Sequence, residues 1–85
     1  MNAYEFISKA CDEPHFHNRL SQIYLKVEDG RSLFQIDYMD DTRIRLYDPR
    51  GLPRHIGCKA SMVVTSLRRT LLGKLVIVVK RVDSL

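Results

Sequence analysis

Residues 50–61, Arg-Gly-Leu-Pro-Arg-His-Ile-Gly-Cys-Lys-Ala-Ser, gather the side chains best suited to gripping an anion. Guanidinium groups bond phosphate oxygens in pairs, and glycines let a ligand come close to the backbone. If the segment leads into a helix, the free N–H groups and positive dipole end of that helix add to the attraction. Arg50, Arg54, His55, Gly57, Lys59 and Ser61 are the candidate contacts. Their spacing is neither that of a Walker A loop nor that of a dinucleotide-binding turn. The same residues therefore also read as a surface loop with solvated arginines.

A second set alternates along extended segments: Tyr24 and Lys26, then Arg43, Arg45 and Tyr47. If the alternate residues are buried, this set forms an outward face of cations and aromatic rings, on which unpaired bases stack. Gln35 and Asp37 fall on the same side, and Asp37 opposite Arg43 or Arg45 makes a plain cross-strand ion pair. An exposed sheet face needs polar residues whatever its role.

Cys11, His15, His17, His55 and Cys58 are the thiol and imidazole inventory. Brought together, four of them make a tetrahedral zinc set. Pro14 interrupts the first pair and the spacings match no common finger, so packed thiols and surface histidines are the expectation, with no metal and no cofactor. No nucleophile–base–orienter arrangement and no paired-carboxylate motif is recognisable, which makes a non-enzymatic domain the expectation.

The elements that must carry these residues follow from periodicity. Ala3, Phe6, Ile7 and Ala10 recur at helical spacing, Asn2 suits the N-cap, and Glu5 stands in capping-box position. Pro14 discourages helix at Glu13. Residues 14–21 read as loop or as a second helical stretch. Strands are predicted over Gln22–Glu28, Ser32–Met39 (Phe34, Ile36 and Tyr38 on one face) and Thr42–Tyr47, joined at Asp29-Gly30 and Asp40-Asp41. A loop follows over residues 48–58. Ala60, Val63, Val64, Leu67 and Leu71 then share a helical face, with Gly73 as C-cap, so residues 59–72 are predicted helical. Leu75–Val79, apolar on both faces, reads as an interior strand. The predicted fold is α+β in the order α-β-β-β-α-β, as one compact domain over residues 1–85.

The order α-β-β-β-α resembles that of double-stranded-RNA-binding domains, with Lys59 near the start of the last helix. The resemblance is one of element order. The lysine cluster such domains carry there is missing, since Ala60 and Ser61 follow.

The chain has 85 residues, a formal net charge of +4 and an uneven distribution of that charge. Residues 1–42 hold four basic against eight acidic side chains, a net −4, and residues 43–85 hold ten against two, a net +8. Such a split marks either a footprint for a polyanion or two halves that pair in the fold. No signal core, targeting segment or spanning run is visible, and two cysteines are too few for a secreted disulfide scaffold, so the expectation is a cytoplasmic protein without a membrane partner. The composition points to a small binding domain contacting nucleic acid, RNA or DNA, through Arg43, Arg45 and the 50–61 loop. The alternative is a protein-binding regulator or inhibitor, of the kind phages and plasmids encode, that occludes a partner's surface. Oligomeric state is left open.

Overall fold

The computed structural model describes residues 2–12, 19–28, 30 and 32–83. Its helix begins as the sequence dictates. Asn2 Oδ1 accepts the Glu5 N–H at 2.9 Å, and α1 runs Ala3–Asp12. One side of α1, lined by Ala3, Ile7, Ala10 and Cys11, is buried.

Six strands follow among the described residues: β1 Ile23–Val27, β2 Leu33–Met39, β3 Arg43–Tyr47, β4 Pro53–Gly57, β5 Met62–Arg69 and β6 Leu75–Val82. They form one curled sheet in the order β4-β3-β2-β1-β6-β5. Neighbours are antiparallel except β1 and β6, which run parallel. The inward residues of the strands, among them Ile23, Leu25, Ile44, Leu46, Ile77 and Val79, close on the buried side of α1 to form a single core. Strand β6 lies inside the sheet, between β1 and β5, and Leu75 to Val79 are all buried.

The two-helix α+β order α-β-β-β-α-β does not hold. The protein is mostly β, with one α-helix among the described residues, and residues 62–69 of the predicted second helix form strand β5. The cause is a β-bulge. Register shifts between Val64 and Ser66 leave Thr65 as an extra residue, so the inward positions are Met62, Val64 and Leu67. A strand has a period of two, but one inserted residue stretches the last gap to three and imitates a helical i, i+3 step. The paired valines and Thr65 also favour an extended chain. Gly73 does adopt the positive φ expected of it (φ 80), but in the β5–β6 turn rather than at a helix end. The likeness to double-stranded-RNA-binding domains falls with the second helix.

Strand β4 was expected as loop. Only Ile56 of its five residues is buried, so it carries almost no apolar pattern, and Pro53 sits at the start of an edge strand, where a missing donor does least harm. A second bulge, at Asp37, turns Tyr38 to the outer face opposite Arg45, away from the inward face shared by Phe34 and Ile36 in the sequence reading. Leu20–Gln22 form a 3-10 turn. Residues 14–18 of the ambiguous stretch, and Asp29 of the expected hairpin turn, lie outside the described residues, while Gly30 N–H bonds Val27 O at 2.8 Å.

Candidate functional site

The 50–61 segment does not converge on one anion site. It has no helix to lead into, and the first turn of α1 is already occupied. Ala3 N–H donates to Ala60 O, Tyr4 N–H to Cys58 O and Glu5 N–H to Asn2 Oδ1, each at about 3 Å. Those are the donors a phosphate would need. Arg50 lies in the β3–β4 turn, where Asp48, a buried carboxylate, accepts from Arg50 N and Leu52 N at 2.9 Å. These bonds hold the Asp48 carboxyl below the usual carboxylate range, led by the one from Leu52. Arg54 pairs with Leu46 in the β3–β4 register, so it points to the core-side face of the sheet, where with Arg50, Asp48 and Phe34 it lines a shallow cavity of about 300 Å³. Lys59 is at the other end of β4, beside Asp41 and Asp83, roughly 14 Å of strand away. Ser61 is bridged to Asn2.

Arg43, Arg45, His55 and Gly57 do share a face. Register pairs Arg43 with Gly57 and Arg45 with His55, and the buried Ile44, Leu46 and Ile56 alternate with them. The outer face so defined continues across the whole sheet. One cross-strand row reads Pro53, Tyr47, Gln35, Tyr24, Val76, Arg68, one residue from each strand, with Val76 buried between Tyr24 and Arg68. Tyr24 and Tyr47 are two strands apart, roughly 10 Å. Each ring has a cation beside it. Lys74 Nζ lies 5.0 Å from the Tyr24 ring centroid and donates to its hydroxyl at 3.0 Å. The Arg45 guanidinium lies 5.6 Å from the Tyr38 ring and 6.0 Å from the Tyr47 ring. These are cation–π distances.

The same Arg45 makes the cross-strand pair foreseen with Asp37, Nη2 to Oδ2 at 2.6 Å and Nε to Oδ2 at 2.9 Å. The pair is half exposed and contributes little to stability. Its effect is to fix the guanidinium plane between two tyrosines. Tyr38 is also held from the side, donating to Asp40 Oδ2 at 3.1 Å, which together with the Asp40 charge pushes its own pKa up. Tyr38, Lys74, Val76 and Arg68 were missed as face residues in the sequence. Tyr38 was hidden by the bulge, and the other three by the absence of any local signal that β6 and β5 extend the sheet beyond β1.

The thiols do not form a metal site with each other. Cys58 sits over the first turn of α1 through Tyr4, whereas Cys11 lies two turns further on, roughly 10 Å away. Cys58 donates its S–H to Asp41 O, and burial with the nearby Asp12 charge pushes the Cys11 thiol up, which makes it a poor nucleophile. His15 and His17 lie outside the described residues, and among the described residues no three metal-ligating side chains cluster. Comparison of the chain with protein-family models, with curated proteins and with solved structures finds no match.

Proposed function

We propose that this domain binds single-stranded nucleic acid, without catalysis, across the outer face of its sheet. The observation that carries the reading is the row of Tyr24 and Tyr47 with Lys74 and Arg45 at their rings, flanked by the exposed Arg43 and Arg68. Unpaired bases offer π-faces that stack on tyrosine, and the intervening phosphates reach the cations, whereas a duplex hides those faces. This reading keeps Arg43, Arg45 and His55 on the outer face and leaves out Arg50, Arg54, Lys59 and Ser61.

The test is a fluorescence-anisotropy titration with oligo-dT and oligo-U at several salt concentrations. Tyr24→Ala and Tyr47→Ala should each weaken binding by about 5- to 100-fold, the loss of one stacked base. No binding of either oligomer at low salt sinks the proposal. Retention of an acidic protein by the same face after nuclease treatment supports the regulator reading in its place, since the chain from Pro49 to Val82 contains no Asp or Glu.

A further inference from the structure

The turn between β5 and β6 lends Lys74 to the tyrosine platform, but its apex takes no part there. It is closed by its own bonds: Thr70 N–H to Lys74 O at 2.8 Å, Gly73 N–H to Thr70 O at 3.0 Å, and Lys74 N–H to Thr70 Oγ1 at 3.0 Å. Gly73 supplies the one positive φ the turn requires. Leu71 and Leu72 stand at its apex, Leu71 wholly exposed and Leu72 85% exposed. Nothing in the turn asks for leucine, since such positions favour Gly, Asn, Asp, Ser and Pro. Two leucines held in water add nothing to the core and reduce solubility. Their role is therefore outside the fold.

Their surroundings indicate what they meet. Arg68, Arg69 and Lys74 flank them within three residues, and no carboxylate occurs in β5, in β6 or in the turn. A convex apolar apex above a collar of cations has the chemistry of an anionic bilayer surface. Alkyl side chains enter the boundary between headgroups and acyl chains, while Lys and Arg stay at the phosphates. The apex projects two exposed leucines, which suits a fluid partner that deforms around them better than a rigid one that needs a matched pocket.

We propose that the Leu71-Leu72 hairpin tip inserts into the surface of membranes rich in anionic lipid, with Arg68 and Lys74 meeting the lipid phosphates. The contact is peripheral, and among the described residues no helix is long and apolar enough to cross a membrane. It departs from the expectation of no membrane partner. Arg68 and Lys74 are shared with the tyrosine platform and the leucines are not, so the leucine variants separate this contact from nucleic-acid binding.

The chain contains no tryptophan, so Leu72→Trp places a single reporter at the apex. Its emission is followed while vesicles are added, either phosphatidylcholine alone or with about 30% phosphatidylserine. The expected result is a blue shift, with protection from an aqueous quencher, on the anionic vesicles only. In flotation with the same vesicles, Leu71→Ser/Leu72→Ser should bind about tenfold or more weakly with unchanged melting, because the lost burial exceeds the tenfold equivalent. Arg68→Gln/Lys74→Gln should also weaken binding. Vesicle binding without a spectral shift, or undiminished in the double-serine variant, overturns the proposal, since it reports adsorption of the basic face alone. A shift caused by rising protein concentration without lipid, or by a duplex oligonucleotide and not by vesicles, overturns it in favour of self-association or of a wedge between bases.

Discussion

Two aspartates organise the turns on either side of β3, and each does so through backbone donors. Asp40 Oδ1 accepts from Thr42 N at 2.8 Å, Thr42 Oγ1 at 2.7 Å and Arg43 N at 2.8 Å, which drives its carboxyl far below the ordinary range. Asp48 is lowered by the same kind of bonds. A carboxyl whose pKa is depressed by folding stabilises the native state above its unfolded pKa, and that contribution is lost as pH falls through the folded value. Stability should therefore decline from about pH 4 downward. Asp40→Asn/Asp48→Asn should flatten this decline in thermal melts across the acid range, and an equally steep profile would show that other groups carry it. Gly73 makes a simpler case. A Cβ there meets nothing within 4 Å, so only the φ of 80 opposes a side chain. Gly73→Ala should destabilise by about 1 kcal/mol, and Gly73→Asn by less, because asparagine tolerates this conformation. Denaturant midpoints of the two variants decide it.

At the scale of the element, β6 supports the sheet from within. It pairs with β1 on one side and β5 on the other, and its residues are buried on both faces from Leu75 to Val79. Ile77 is fully buried, opposite Leu25 and Leu67. Ile77→Asp would place an unpaired charge among them, at a cost on the scale of the whole stability of a domain this small. The variant should be unfolded by circular dichroism, and a folded Ile77→Asp with unchanged melting would refute the placement of β6. The α1 helix and strands β1 and β3 were legible because their apolar residues keep an unbroken period, β2 because its period holds up to the bulge at Asp37, and β6 because it is a continuous apolar run. Strand β5 was not, because its bulge at Thr65 breaks the period where a helix and a strand look alike. Strand β4 was not, because an edge strand with one buried residue has almost no period to read.

For the whole molecule, the order of strands decides what the uneven charge means. β1 and β2, from the acidic half, lie at the centre of the sheet, with β3-β4 and β6-β5 from the basic half on either side. Among the described residues, the acids of the first half sit mostly off the outer face: Glu5 and Asp12 on α1, Glu28 after β1, and Asp40 and Asp41 between β2 and β3. Asp37, among the described residues, is a carboxylate on the outer face, and Arg45 takes it. On the nucleic-acid reading, Arg43→Gln and Arg68→Gln should each lower the salt slope of single-strand binding by about 0.7. Arg50→Ala/Arg54→Ala should leave the slope unchanged, because Arg54 points to the other face and Arg50 sits in the turn beyond it. A slope that drops with Arg50 and Arg54 instead would return the contact to the β3–β4 turn.

Local pattern by itself determined the capped N-terminal helix, the antiparallel run of β1 to β3, the buried character of β6, the need for a positive φ at Gly73 and the alternation that sets Tyr24, Lys26, Arg43, Arg45 and Tyr47 apart from the core. Each depends on residues within a few positions of one another. Tertiary structure decided which strands are neighbours, and hence that Tyr24, Val76 and Arg68 share a row although residues 24 and 76 are 52 positions apart in sequence. It also decided that Arg54 faces away from Arg43, that Lys59 lies at the opposite end of β4 from Arg50, and that the donors of α1 are taken by Cys58 and Ala60. These outcomes rest on pairings between distant segments, whose energy comes from burying both partners together and leaves no trace in the period of either one alone.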